Sequence, residues 1–153
     1  MTHLTRAQLI MLTAGGSAAI LAGAYIFQAL GYPPCKLCWW QRYPHFAAAG
    51  IGILALVFRG ALLPWLGAIA AAITSGIGFY HSGVERKLWE GPTSCTSSGV
   101  EGMSTQDLMD QIMAAPLIRC DEIPWEMFGV TMANLNFLFS AAFAVIWVMA
   151  ARR

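Results

Sequence analysis

Cys35 and Cys38 stand at C-x-x-C spacing, followed at once by Trp39 and Trp40 and, four positions after Cys38, by Arg42. Cysteine reacts as the thiolate, whose formation is favoured near cations and at helix N-termini. Lys36 and Arg42 supply positive charge, and Tyr43-Pro44 opens an apolar run that reads as a helix beginning just after the motif. The unpaired N–H groups of that helix start would face Cys38. Cys38 is therefore the expected thiolate and Cys35 its disulfide partner. Cys95 and Cys120 form a second pair across a long polar loop. Such a pair is most often a structural disulfide, but thiolates attack disulfide sulfurs through mixed disulfides. Two pairs on one face therefore permit electrons to enter at the loop and move to the first motif.

A C-x-x-C also begins many zinc sites. Here the other two cysteines make no second C-x-x-C, and no histidine stands at zinc-finger spacing, so no metal is expected. No alternation of strands and helices surrounds the motif, which excludes a thioredoxin-like fold. The eight methionines have no ligand spacing and read as packing.

The elements that must position these cysteines are membrane helices. Of 153 residues 58% are hydrophobic and 11% charged, against roughly 25% charged in ordinary globular proteins. Stretches 7–35, 43–58, 60–84 and 127–151 carry no Asp, Glu, Lys or Arg. Crossing a bilayer takes about 20 apolar residues. Three stretches reach that length, and 43–58 needs help from its flanks or a locally thinned bilayer. The expected fold is an all-α integral membrane protein, one domain over 1–153. It is an antiparallel bundle of four transmembrane helices at about 9–30, 43–58, 62–80 and 131–150, with loops at about 31–42 and 81–130. Pro33-Pro34 ends the first helix, and Arg59-Gly60 makes a tight turn between the second and third. The first run resembles a cleavable signal peptide in part, but it continues unbroken through Leu30 and three further runs follow. Small residues recur at Gly15, Ala19 and Gly23 and again at Gly67, Ala71 and Ser75, a spacing that lets helices approach.

All eight acidic residues lie in 81–126. Within it Ser104 to Asp107 reads as a capping box, and Leu108, Met109, Ile112 and Met113 fall on one side of a short amphipathic helix at about 104–114. Asn134 and Asn136 near the start of the last span suit interhelix hydrogen bonds. Arg6, Arg59, Arg152 and Arg153 crowd into very short segments on one side, which favours both termini inside and the cysteine loops on the outer, oxidising side. There is no internal repeat, no linker and no basic cluster for nucleic acid.

Cys35-Lys-Leu-Cys38 with Arg42, a second pair in the next long loop, Tyr80-His81-Ser-Gly-Val-Glu85 and Trp89-Glu-Gly-Pro-Thr-Ser-Cys95 together resemble the disulfide bond formation protein B (DsbB) family. The resemblance runs over essentially the whole chain. It implies a bacterial inner-membrane thiol:quinone oxidoreductase that reoxidises a periplasmic thioredoxin-fold, DsbA-like partner and passes the electrons to ubiquinone or menaquinone. By matching position, Cys95 would be attacked by the partner, Cys120 would exchange with Cys35, Cys38 would face the quinone, and Arg42 would hold a quinone oxygen. His81, which ends the third helix on the same face, would border the quinone pocket or equally be an interfacial histidine hydrogen-bonded to the loop, whereas His45 takes no role from the resemblance. Two alternatives stand beside this reading: a membrane scaffold with purely structural disulfides, and a vitamin K epoxide reductase-like quinone reductase. In the latter the C-x-x-C follows the loop pair; here it precedes it.

Overall fold

The computed structural model describes residues 4–93, 95, 104–114 and 118–153. In chain order the elements are α1 (Arg6–Ala29), α2 (Lys36–Val57), α3 (Leu62–Glu85), α4 (Thr105–Ala114), a hairpin of β1 (Glu126–Met127) and β2 (Val130–Thr131), and α5 (Met132–Ala151).

Local chemistry sets the helix ends. Thr5 caps α1, its hydroxyl accepting the Gln8 N–H at 3.3 Å while Gln8 Oε1 accepts the Thr5 N–H at 2.8 Å. The helix stops at Leu30, after which Gly31 takes a φ of +97° that suits glycine. α2 begins at Lys36 rather than near 43. Cys35 is its N-cap, the sulfur accepting the Cys38 N–H at 3.2 Å, and Pro44 lies inside the helix instead of in its first turn. The motif is therefore part of α2, not of the loop before it. α3 likewise runs on to Glu85, past the expected end near Tyr80.

α1 packs on α2 and α5, α2 on α3, and α3 on α5, so the four long helices close a ring. Arg6 donates to the carbonyls of Gly60 at 2.7 Å and Ala55 at 3.4 Å, and Arg153 donates to that of Leu4. The chain ends and the α2–α3 turn thus gather at one end of the helices.

Small residues make the α3–α5 contact close. Gly67, Ala71, Ser75 and Gly78 are all buried, Ser75 donates to the Phe137 carbonyl at 3.0 Å, and the Trp147 ring lies fully buried on Gly67. In α1, by contrast, Gly15 and Gly23 have no neighbour within 4 Å of a notional Cβ. Its buried line is Leu9, Thr13, Ser17 and Leu21, the same four-residue spacing on another face. A Cβ at Gly67 would sit 2.6 Å from Trp147. Gly67→Ala is therefore expected to cost about 1–3 kcal/mol by overpacking, read as a lower thermal midpoint in detergent. Gly15→Ala should leave the midpoint unchanged or raise it.

Polar side chains are buried beside the apolar core, and many large apolar ones face outward. Thr13, Ser17, Gln41, His45, Thr74, Asn136 and Ser140 are buried, while Ile26, Ile53, Val57, Leu62, Ile69 and Val145 are exposed. That distribution suits a lipid surround, where polar groups face the bundle interior. Against the four spans expected from the sequence, length and composition qualify three for crossing a membrane: α1, α3 and α5. α2 falls short because Gln41, Arg42 and His45 occupy its first half. On α4, Met109 and Met113 are exposed. The side chains of Leu108 and Ile112, and of Asp107 in the expected capping box, lie outside the described residues.

The hairpin from Glu126 to Thr131 was not foreseen from the sequence. Phe128 and Gly129 form its turn with φ of +52° and +77°, and Arg86 holds it by donating to the Gly129 carbonyl at 2.8 Å.

Candidate functional site

The first turn of α2 carries Cys35 and Cys38, whose sulfurs are 2.7 Å apart and unbonded. Cys95 and Cys120 are joined as a disulfide with a Cα separation of 5.3 Å. Both pairs belong to one buried cluster: Cys35, Cys95 and Cys120 pack with Leu37 and Val84, and Cys38 lies at its edge. The loop reaches this position through stacked aromatics. Trp89 lies parallel to Tyr80 and covers Gly83, its indole N–H donating to the Tyr80 carbonyl at 2.8 Å. Arg119 and Asp121 clasp each other around Cys120 at 2.7 and 3.0 Å, and the guanidinium holds the Asp121 carboxyl below its ordinary range.

The Cys35 thiol is pushed far up, first by its hydrogen bond to Cys38 and then by burial; the Cys38 backbone N–H pulls the other way more weakly.

Cys38 opens on a cavity of about 270 Å³ between α1, α2 and α5. Arg42, His81, His45, Gln41, Glu85 and Asn136 supply its polar lining, and the rest is largely apolar. Arg42 is buried, sandwiched 4.8 Å from the rings of both Tyr25 and Trp39. It donates to Gln28 Oε1 at 2.8 Å and to the Ala24 carbonyl at 3.2 Å. No carboxylate among the described residues pairs with it. A buried cation held by neutral acceptors favours an additional electron-rich oxygen.

Behind the cavity runs a hydrogen-bond network of which the sequence indicated only the interhelix bonds of Asn136. Gln41 bonds His81 Nδ1 at 2.8 Å and Asn136 at 2.7 Å; Asn136 also reaches Thr74 and His45; Glu85 accepts from Thr131 at 2.6 Å. Its members lie on α2, α3 and α5, with Thr131 on β2 as the cap of α5, and far apart in sequence. The signal available was the presence of polar residues in apolar runs, Asn136 above all. His81 Nε2 stands 3.6 Å from Cys35 Sγ and 3.8 Å from Glu85 Oε1. The Cys35, Cys38 and His81 donor atoms lie within 4.8 Å of one another. That is one donor fewer than a closed zinc site takes, and we assign no metal to them.

Residues 6–150 match the family model described as "Disulfide bond formation protein DsbB". The chain is 29% identical to an uncharacterised protein of Rickettsia prowazekii (strain Madrid E), over 78% of this chain and 73% of that one. It is 27% identical to a disulfide bond formation protein B of Polaromonas sp. (strain JS666 / ATCC BAA-500), over 84% and 80%. A protein of the same description from Shewanella loihica (strain ATCC BAA-1088 / PV-4) is 31% identical over 82% and 75%. No solved structure matches the chain.

Proposed function

The chain belongs to the DsbB family of disulfide bond formation proteins, and from that membership we propose that it is a thiol:quinone oxidoreductase of the bacterial inner membrane. It reoxidises a periplasmic, thioredoxin-fold, DsbA-like partner at the expense of ubiquinone or menaquinone. α2 serves as the fourth span, both termini face the cytoplasm, and the cysteine loops face the periplasm.

The observation that carries this reading is that both cysteine pairs share one buried cluster whose edge sulfur, Cys38, lines a cavity with the uncompensated Arg42. A partner thiolate attacks Cys95, breaking the Cys95–Cys120 bond and leaving the electron pair on Cys120. The second partner thiol displaces Cys95, and the partner leaves as a disulfide. Cys120 attacks Cys35 in its bond to Cys38, leaving the electron pair on Cys38; Cys95 then displaces Cys35 from Cys120, restoring the loop disulfide and leaving Cys35 and Cys38 as a reduced pair, whose return to the Cys35–Cys38 disulfide gives up two electrons. Quinone, as the substrate, accepts two electrons and, with the two protons given up by the partner's thiols, leaves as quinol. Arg42 donates to one ring oxygen, and His81 borders the ring. Ligand pockets typically measure about 300–1,000 Å³, so a cavity of about 270 Å³ suits a ring headgroup with its isoprenoid tail left in lipid.

A redox titration separates this reading from a scaffold with structural disulfides. Structural disulfides have potentials below about −300 mV. The Cys35–Cys38 couple is expected well above that value, and a potential below it would overturn the assignment.

A further inference from the structure

Two backbone carbonyls fix a chain of amides that ends on the cysteine pair. Asn136 Nδ2 lies 3.2 Å from the Thr74 carbonyl, 3.1 Å from Thr74 Oγ1 and 2.7 Å from Gln41 Oε1. The Thr74 hydroxyl spends its own proton on the Gln41 carbonyl at 2.9 Å, so toward Asn136 it accepts. An Asn136 turned over would set its oxygen against the Thr74 carbonyl, acceptor on acceptor. Gln41 is oriented in turn: Oε1 meets Asn136, while Nε2 donates to the Leu37 carbonyl at 3.3 Å and meets His81 Nδ1 at 2.8 Å.

An amide nitrogen donates and does not accept. His81 Nδ1 must therefore accept, and the neutral ring carries its proton on Nε2. Nε2–H faces Cys35 Sγ at 3.6 Å, with Glu85 Oε1 beyond at 3.8 Å. Cys35 also receives the Cys38 N–H at 3.2 Å, so with this tautomer two donors converge on its sulfur. In the other tautomer a lone pair on Nε2 would face that sulfur and accept its S–H, holding the proton on Cys35.

We propose that Thr74, Asn136 and Gln41 are positioning residues that lock the His81 tautomer, and that the lock aims a ring N–H, not a lone pair, at Cys35 Sγ and so favours its thiolate. The proposal rests on the reading above for the meaning of that donor, since Cys35 is the sulfur that leaves when Cys95 restores the loop disulfide. The geometry of the lock itself does not depend on what the acceptor is. Asn136 Oδ1 also accepts from His45 Nε2 at 2.8 Å and from Ser140 at 3.3 Å. His45 is thereby set as Nε2–H too, with Nδ1 unpartnered.

The chain has three histidines, so nitrogen NMR of histidine-labelled reduced protein resolves each ring, with His81→Asn assigning the signal. The expected result is one His81 form, with unprotonated Nδ1 and protonated Nε2. In Gln41→Leu this single form is lost. Limiting alkylation, read by mass spectrometry, gives the ratio of label on Cys35 to label on Cys38, and that ratio should fall about tenfold from wild type to Gln41→Leu, the scale of one hydrogen bond to a charged group. Asn136→Ala, which leaves His81 and Gln41 in place, should move both readings in the same direction. A protonated His81 Nδ1 in the wild type overturns the lock whether or not the variants fold. An alkylation ratio unchanged in both variants overturns the effect on Cys35. Failure of the wild type to reduce quinone would sink the proposed function and leave the tautomer result standing.

Discussion

Replacing Cys38 with serine is expected to lower quinone reduction by at least about three orders of magnitude, the scale seen when a nucleophile is removed from a catalytic unit. Serine is nearly isosteric, and α2 keeps its cap because the cap atom is the Cys35 sulfur accepting a backbone N–H. What disappears is the sulfur that can leave Cys35 as a thiolate and that lines the cavity. The loop disulfide remains in Cys38→Ser, so a reduced partner should still attack Cys95 and accumulate in disulfide-linked form. Cys35→Ser should be equally inactive, because Cys120 then has no disulfide to attack. Full activity in either variant, followed by quinone absorbance, would remove the electron path through this pair.

Arg42→Ala is expected to raise the apparent KM for quinone about 10–100-fold, with a smaller effect on kcat. The estimate follows from a charged hydrogen bond worth about 1.5–3 kcal/mol. Arg42 is buried between Tyr25 and Trp39 and meets neutral oxygens of Gln28 and Ala24, which leaves its charge uncompensated by any described carboxylate. Arg42→Lys should recover part of the loss. It restores charge but neither the planar stack nor the forked donation. A thermal melt in detergent separates this from loosening of the α1–α2 contact, which the same side chain bridges. An unchanged KM in a folded Arg42→Ala protein would count against a role in holding the acceptor.

The reactive residues were legible because cysteine pairs and an isolated arginine in an apolar chain are few and chemically loud. The long apolar runs were legible for the same reason, since charge is costly in lipid. Detail governed by partners was not. The start of α2 is set by a sulfur acting as cap and by tolerance of Pro44 within the helix, neither of which hydropathy registers. Gly15-Ala19-Gly23 and Gly67-Ala71-Ser75 have the same spacing, yet only the second is buried against a neighbour, because Trp147 lies opposite Gly67 and nothing lies opposite Gly15. The hairpin turn places Phe128 at positive φ, where glycine or asparagine would have signalled it. The network of Gln41, Thr74, His81 and Asn136 joins three helices, and no local pattern links residues that far apart.

The central claim is that thiol electrons entering at Cys95 and Cys120 leave through Cys38 to a quinone. Mixing the purified protein anaerobically with a reduced DsbA-like partner and ubiquinone or menaquinone, and following quinone absorbance together with partner thiols, tests it most directly. The account predicts one quinol formed for each partner disulfide. Partner thiols that stay reduced with quinone unconsumed, or partner oxidation without loss of quinone, would contradict it.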